Sequence, residues 1–171
     1  AKAFAGRAGF VTCSARFMEY FKCESHPAIF SSTLLPHEIA GLDATLSIIQ
    51  KDAWRRERLH ACSNYLRVHL NELGYNVQAG NAQIISLEPG PEPKLIQLRD
   101  ALEAGGVFGA PFFPPATSKK RTLMRFSLNC GLSDEELKRI IEVCDSIRDE
   151  VKLNEWPSTR RRRSDAADAI H

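Results

Sequence analysis

The chain has 171 residues, of which 43% are hydrophobic and 26% charged, so its composition is that of a globular protein and not of a disordered or fibrous one. Its formal net charge of +2 depends on a run of arginines at 160–163 and is too small to indicate a nucleic-acid partner. Because no apolar stretch approaches the roughly 20 residues that a membrane-spanning helix needs, we expect no membrane span.

The chain opens with a loop of alanines and glycines, AKAFAGRAGF, that contains a lysine at position 2. After it, residues 9–14 have strand character and residues 15–22 predict a brief helix. Such small side chains would let a flat cofactor approach the backbone and would leave Lys2 unobstructed, but they also describe any tight loop before a strand. From the residues alone, a solvated lysine and a lysine bound covalently to a cofactor both stay open.

Two long helices are predicted next. Pro36 suits the first turn of a helix, and Ser32 or Thr33 can supply the capping side chain. Apolar residues then recur at the three- and four-residue spacing of an amphipathic helix, at Ile39, Leu42, Leu46 and Ile49. A second, more charged helix is predicted over 53–73 and ends at Gly74.

After Gly80 the pattern changes to short elements. We predict, in order, a strand at 83–87, a helix at 94–103, strands at 107–113 and 122–128, and a helix that begins with the capping box at Ser133. The EPGPEP segment at 88–93 predicts a turn or loop. This order indicates an α/β or α+β chain in which helices cover one face of a small sheet.

The cysteines and histidines show no metal-binding spacing. The five cysteines are odd in number and none forms a C-x-x-C pair, which favours free thiols of a reducing compartment over a disulfide framework or a zinc site. We therefore predict no metal site and a cytoplasmic location.

Three segments, in this order, resemble the α-oxoamine synthase family of pyridoxal-phosphate (PLP) acyltransferases: KAFAGRAG, PAIFSSTLLPHEIAGL and GVFGAPFFPPATSKKRTLMRFSLN. Within it, IFSSTLLP, the Arg7-Ala8-Gly9 triplet and PATSK are similar to the quorum-sensing autoinducer synthases of the cholera-autoinducer, α-hydroxyketone type. The resemblance runs from Ala1 to about Ile147 and corresponds to the second half of a family member.

The resemblance implies an α/β fold, the C-terminal part of a PLP-dependent transferase of the aspartate-aminotransferase type (fold type I), with a small sheet covered by helices. It implies that residues 1–50 are a remnant of the large cofactor-binding domain and that residues 51–155 form the small C-terminal domain. Residues 156–171 are expected to be a disordered tail. The family's other cofactor-binding residues precede the lysine, so we expect this chain by itself to be inactive.

The resemblance singles out five positions, of which Arg7 has no counterpart in the broader family and matches only the narrower autoinducer-synthase branch. Lys2 is similar to the lysine that holds PLP as a Schiff base and then moves protons at the substrate α-carbon. Thr33, with Ser32 as a weaker candidate, matches a hydroxyl residue that reaches the cofactor phosphate of the neighbouring subunit; a plain capping role is the alternative. Arg125 matches an arginine that pairs with the amino-acid carboxylate, with a solvated arginine as the alternative. Arg7 is expected to make a backbone or substrate-side contact.

The implied activity is that of a PLP-dependent acyl-CoA:amino-acid C-acyltransferase. It would make an aminoketone-type autoinducer from a fatty acyl-CoA and a small amino-acid donor, in a homodimer with its active site at the subunit interface. One alternative is an aminotransferase or lyase of the same fold. Another is a non-catalytic α/β interaction module in which the arginines at 160–163 bind an acidic partner. Ala1 stands where the broader family usually has glycine, which leaves the substrate undetermined.

Overall fold

The computed structural model describes residues 2–78 and 80–159. The chain forms two compact units, which we call unit 1 (Ala1–Ala53) and unit 2 (Trp54–His171). This division lies close to the domain boundary predicted after residue 50. No helix among the described residues combines the length and the apolar composition that crossing a membrane requires.

Unit 1 is helical in its described residues. Its helices are α1 (Ala15–Glu24), α2 (His26–Ile29) and α3 (Pro36–Lys51). Helix α1 begins where the Ser14 hydroxyl accepts a hydrogen bond from the Phe17 N–H at 3.3 Å. Helix α3 begins with the Leu35 N–H donating to the Glu38 carboxylate at 2.7 Å. The two helices predicted after residue 14 and at Pro36 are therefore confirmed.

The strand predicted at 9–14 is wrong, because these residues form neither a strand nor a helix. A strand satisfies its backbone N–H and C=O groups on a neighbouring strand. The described residues provide no such neighbour beside 9–14. An apolar, β-branched sequence alone is therefore not enough to form the element.

Unit 1 has no core of its own. Between residues 2 and 53 no side chain is buried. Large apolar side chains stand in solvent, with Phe10 87% and Phe30 67% exposed. The apolar stripe predicted on α3 is only partly covered, since Ile39 is 54% and Leu46 40% exposed, whereas Leu42 and Ile49 are half-buried. The stripe predicts where α3 is apolar, but none of its residues is fully buried.

Unit 2 contains a three-stranded antiparallel sheet with the strand order β1-β3-β2. Its strands are β1 (Ile84–Gly90), β2 (Ala110–Phe112) and β3 (Thr122–Ser127). Its helices are α4 (Ala53–Glu72), α5 (Glu92–Ala104) and α6 (Asp134–Ser146), followed by a 3-10 turn at Leu153–Glu155. The long helix predicted before Gly74 is confirmed, as is the capping box of α6, in which the Ser133 hydroxyl accepts from the Glu136 N–H at 3.1 Å.

Helices α4, α5 and α6 cover one face of this sheet. Alternate side chains of β1 and β3 point toward the helices and are buried, namely Ile85, Leu87, Met124 and Phe126. They share one core cluster with Leu66 and Leu70 of α4, Leu98 and Leu102 of α5, and Val143 of α6. The predicted arrangement, a small sheet with helices on one face, is thus observed in unit 2.

The EPGPEP segment is not a loop, and the prediction at 88–93 is wrong. Strand β1 continues through Gly90, and α5 begins at Glu92. The pairing with β3 shifts register between Leu87 and Gly90. An irregular pairing of this kind tolerates Pro89, which has no N–H to donate to a neighbouring strand.

The strand predicted at 107–113 is shorter in the structure, where β2 has only three residues. The end of α5 explains the difference. The Val107 N–H donates to the Leu102 carbonyl at 2.9 Å, and Gly106 has a positive φ of 78°. Val107 therefore closes the helix and is not available to start the strand.

The tail predicted to be disordered begins with residues that are packed into unit 2. Trp156 is 1% exposed and its ring stacks edge-on against Tyr75. The Ser158 hydroxyl donates to the Glu88 carbonyl at 2.6 Å, and the Asn76 side chain donates to the Ser158 carbonyl at 2.8 Å. The prediction is therefore wrong for 156–159, and the arginines at 160–163 lie outside the described residues.

Candidate active site

Lys2 lies in a tight turn at the start of unit 1. Its carbonyl accepts a hydrogen bond from the Ala5 N–H at 2.9 Å. Ala5 has φ of 52°, a left-handed conformation that is uncommon for a residue with a side chain and is concentrated at functional sites. The Lys2 side chain is exposed, and no described residue forms an ion pair with its amine. The turn therefore presents an unpaired primary amine.

Gly6 holds this loop against helix α3. A Cβ atom at this position would lie 3.3 Å from Cδ2 of Leu42, which is closer than ordinary contact. The loop therefore approaches α3 because Gly6 has no side chain. The sequence suggested that the small residues of this loop make room for a cofactor. At position 6, the small residue instead allows the loop to pack against Leu42.

Ser32 and Thr33 do not cap helix α3. The residue at the N-cap position is Leu35, whose N–H is taken by the Glu38 carboxylate. No described residue forms a hydrogen bond with either hydroxyl, and both residues are exposed. The capping alternative for Thr33 is therefore wrong, and its hydroxyl is free to bind an anion just ahead of a helix N-terminus.

Arg7 lies in the loop between the Lys2 turn and α1. Its side chain is exposed and forms no hydrogen bond or ion pair with the described residues. The structure thus leaves this guanidinium available without showing a ligand for it.

Arg125 lies in the middle of β3, on the sheet face opposite the helix-covered core. Its direct neighbours across the sheet are Ser86 of β1 and Ala110 of β2, both of which have small side chains. The residue is half-buried, and its Nε atom is sealed from solvent without a hydrogen-bond partner. Its guanidinium carbon lies 4.5 Å from the centroid of the Phe112 ring.

The lack of polar partners distinguishes Arg125 from several other arginines of unit 2. Those that donate hydrogen bonds to carbonyl or carboxylate oxygens are Arg58, Arg67, Arg99, Arg121, Arg139 and Arg148. Arg121, for example, forms a two-point pair with Glu88, at 2.8 and 3.1 Å. Because a guanidinium without an anion is costly to desolvate, the half-buried Arg125 is the better candidate for a ligand anchor.

Two neighbours of Arg125 were missed in the sequence analysis. Phe112 is directly opposite Leu123 in the β2–β3 register, on the same face as Arg125, and Ser86 leaves space on the other side. The sequence shows only two adjacent phenylalanines before two prolines. The register that selects Phe112 and not Phe113 comes from strand pairing, which no local pattern encodes.

Two further ionisable groups of unit 2, Cys144 and Asp134, are buried or paired within the fold. Burial raises the pKa of the Cys144 thiol to about 12, so this group is protonated at neutral pH and is not a nucleophile. Asp134 accepts a hydrogen bond from Arg58 at 2.6 Å, which lowers the pKa of its carboxyl group. Among residues 2–78 and 80–159, no three His, Cys, Asp or Glu side chains are grouped to hold a metal ion.

The predicted site residues thus divide between the two units. Lys2, Arg7, Ser32 and Thr33 belong to unit 1, and Arg125 belongs to unit 2. Each unit presents polar side chains without a hydrogen-bond or ion-pair partner among the described residues: an amine and hydroxyls in unit 1, and a guanidinium in unit 2.

Comparisons with known proteins identify the family. The model of the family described as aminotransferase class I and II matches residues 1–143. The CAI-1 autoinducer synthase of Vibrio campbellii is 35% identical over 153 residues, which are 90% of this chain and 39% of that protein. The 8-amino-7-oxononanoate synthase of Lysinibacillus sphaericus is 30% identical over 152 residues, which are 89% of this chain and 39% of that protein. The chain therefore spans less than half the length of these relatives.

Solved structures agree on the fold. A serine palmitoyltransferase with PLP as an internal aldimine matches 88% of this chain and 38% of its own, with a TM-score of 0.77 and 20% identity. The Sphingomonas wittichii serine palmitoyltransferase has the same TM-score of 0.77 at 22% identity. The predicted fold type I architecture is confirmed, and PLP, the predicted cofactor, is bound in the first of these structures. The chain belongs to the aminotransferase class I and II family, and its relatives there are α-oxoamine synthases, as its motifs predicted.

Proposed function

We propose that this chain is the C-terminal part of a PLP-dependent acyl-CoA:amino-acid C-acyltransferase that makes an aminoketone-type quorum-sensing autoinducer. The enzyme would join a fatty acyl group to a small amino-acid donor in the cytoplasm. It would act as a homodimer with the active site at the subunit interface. The observation that carries the proposal is the exposed, unpaired amine of Lys2 in a turn whose sequence matches the family's lysine loop.

The residues of unit 1 fit the cofactor. Condensation with an aldehyde requires an accessible primary amine in its neutral form. The Lys2 amine is accessible and has no salt-bridge partner among the described residues. The free hydroxyls of Ser32 and Thr33 can donate to phosphate oxygens, and α3 starts just beyond them. By the family pattern, the phosphate that Thr33 binds would belong to the neighbouring subunit.

Bound PLP would withdraw electrons from the substrate α-carbon. The chain's own residues then have defined tasks. The Lys2 amine accepts the proton that leaves the α-carbon. The Arg125 guanidinium holds the carboxylate of the amino-acid donor through charge-assisted hydrogen bonds. With both groups in place, the α-carbon would form a bond with the thioester carbonyl carbon, the carbon–sulfur bond would break, and CoA would leave as a thiol that takes up a proton. Loss of the carboxylate as CO2, or an elimination, would then leave the aminoketone.

The acyl substrate is inferred from the relatives. The 35% identity to a CAI-1 autoinducer synthase extends over 90% of this chain. The other relatives, named as 8-amino-7-oxononanoate synthases and a serine palmitoyltransferase, support the broader acyl-transfer class.

The proposal is tested in the full-length enzyme that contains this sequence. Incubation with PLP, a small amino acid and decanoyl-CoA should release free CoA thiol, measured with a thiol reagent. An aminotransferase or lyase would consume the amino acid without releasing thiol.

Lys2→Ala is the matched variant. It should remove the absorbance band between roughly 400 and 430 nm that a lysine-bound PLP gives and should lower the rate of thiol release by at least about 100-fold. Borohydride reduction and peptide mapping should locate the adduct on Lys2. An adduct on another lysine would overturn the assignment.

A further inference from the structure

The sheet of unit 2 holds Arg125 against one aromatic ring. Phe112 is the last residue of β2 and pairs with Leu123, so it lies diagonally across from Arg125 on the same face. The ring centroid is 4.5 Å from the guanidinium carbon. This distance is within the range of a cation–π interaction.

The position of Phe112 is fixed from both sides of the chain. Strand pairing with β3 holds its backbone on one side. Beyond the strand, the Thr117 hydroxyl donates to the Phe112 carbonyl at 3.3 Å, and the Thr117 N–H donates to the Phe113 carbonyl at 3.2 Å. The loop after β2 therefore folds back onto the strand end and holds the Phe112 backbone in place.

Stacking and hydrogen bonding use different parts of a guanidinium. A ring binds the flat face of the group, whereas the N–H donors lie in its plane and point outward from the edge. The guanidinium carbon of Arg125 lies over the Phe112 ring, and Arg125 has no hydrogen-bond partner among the described residues. Only Nε among its nitrogens is both buried and unpaired, so the terminal nitrogens stay accessible. The result is a guanidinium whose orientation is set while its outer donors are unused.

We infer that Phe112 is a positioning residue, whose ring orients the Arg125 guanidinium for two-point binding of the carboxylate of the amino-acid donor. The inference rests on the proposed function, because the carboxylate is that of the proposed substrate. Phe112 itself does not touch the reacting atoms. The ring would thereby determine specificity. Donors with a carboxylate would bind more tightly to the oriented guanidinium, whereas amines without a carboxylate would not.

The experiment compares two small donors on the holoenzyme. Alanine carries the carboxylate, and ethylamine is the corresponding amine without it. Titration of the cofactor absorbance with each compound gives two apparent dissociation constants. Their ratio reports carboxylate recognition alone, because both compounds present the same primary amine.

Phe112→Leu keeps the apolar volume and removes the ring. It should raise the apparent dissociation constant for alanine by between about 2-fold and about 30-fold, the range expected for a cation–π contact, and leave that for ethylamine within about 2-fold. Phe112→Tyr should behave like the wild type. Pentafluorophenylalanine at position 112 keeps the ring shape but reverses its charge distribution, so it should behave like Phe112→Leu even if the leucine variant folds poorly.

Phe113→Leu is the matched control, because its ring packs against the core and not against Arg125. It should lower the melting temperature without changing the ratio between the two donors. If Phe112→Leu leaves the ratio unchanged while Arg125→Ala loses the preference for alanine, the role of Phe112 is overturned. The proposed carboxylate site at Arg125 would still stand. An unchanged ratio in Arg125→Ala would overturn the proposed carboxylate site and this inference with it.

Discussion

At the scale of single residues, the candidate site groups differ from structural polar groups because they lack hydrogen-bond and ion-pair partners among the described residues. Arg121 and Arg58 are engaged by carboxylates, and Ser133 caps a helix. Lys2 and Thr33, by contrast, have side chains without a partner among the described residues. A polar group that forms no hydrogen bond or ion pair within the fold can use its donors and acceptors to bind a ligand.

For Thr33 this contrast leads to a direct test. Thr33→Val should weaken the affinity of the full-length enzyme for PLP by about 3- to 15-fold, the effect of losing one hydrogen bond. The melting temperature of the cofactor-free protein should not change, because Thr33 does not cap α3. Equilibrium dialysis with PLP and thermal unfolding measure the two quantities.

Ser32→Ala serves as the comparison and should have the smaller effect on PLP affinity. A lower melting temperature with unchanged PLP affinity in Thr33→Val would instead assign the hydroxyl to the structure.

Buried ionisable groups make the stability of unit 2 sensitive to high pH. In the unfolded chain a cysteine thiol loses its proton near pH ~8.5. In the folded protein burial raises the pKa of Cys144 to about 12, and burial also raises the pKa of Tyr75. Between these values the folded state holds a proton that the unfolded state has released, so stability is full below the unfolded pKa and falls as the pH rises.

We therefore expect the free energy of unfolding to decrease above pH ~8.5, by up to about 1.4 kcal/mol per pH unit for each such group. Denaturant titrations between neutral pH and pH 11 measure this slope. Cys144→Ala should reduce the slope, whereas Cys13→Ala, at an exposed position, should not. Equal slopes in all three proteins would show that Cys144 does not titrate in this way.

At the scale of elements, local sequence patterns predict most helices. The bounds of the strands also depend on strand pairing and on the end of the preceding helix. The capping box at Ser133 and the glycine after α4 are local signals, and both helices form as predicted. The end of β1 differs from its prediction because of the irregular pairing with β3, and the start of β2 differs because Val107 closes α5. For the site, a motif predicts Arg125, but the Phe112 contact depends on the register between two strands. That register becomes known only when the strands are assembled.

The contact between α5 and α6 depends on one glycine. A Cβ atom at Gly105 would lie 2.5 Å from Cγ1 and 2.9 Å from Cγ2 of Val143, which is in the core. The φ of Gly105 is −80°, which alanine adopts without strain, so the cost of a substitution is steric. Gly105→Ala should lower the free energy of unfolding by about 1–3 kcal/mol, measured by urea denaturation.

The double variant Gly105→Ala/Val143→Ala tests this explanation. Because the shorter side chain at 143 leaves space for the new methyl group, Gly105→Ala should cost much less in that background. Strict additivity of the two substitutions would contradict a steric clash between these positions.

At the scale of the whole molecule, the two units differ in how completely they bury apolar surface. Unit 2 has one continuous core, whereas in unit 1 no residue from 2 to 53 is buried. Exposed apolar surface of this kind promotes association. We expect this chain, produced by itself, to self-associate.

Light scattering on the purified chain measures this behaviour. The double variant Ile39→Ser/Leu46→Ser removes two exposed apolar residues of α3 and should reduce the apparent mass. Val68→Ser, at an exposed position of unit 2 that is 53% accessible, is the matched control and should have little effect. A monodisperse monomer before substitution would contradict the expectation.

The burial of Trp156 also affects how unit 2 forms during synthesis. Val151, Leu153 and Trp156 fill the core beside residues made much earlier, so the hydrophobic interior stays open until this stretch has left the ribosome. A product terminated before Trp156 would lack the indole that packs on Tyr75 and donates its N–H to the Val151 carbonyl. We expect cellular proteases to remove such truncated products, because they leave the core of unit 2 incomplete.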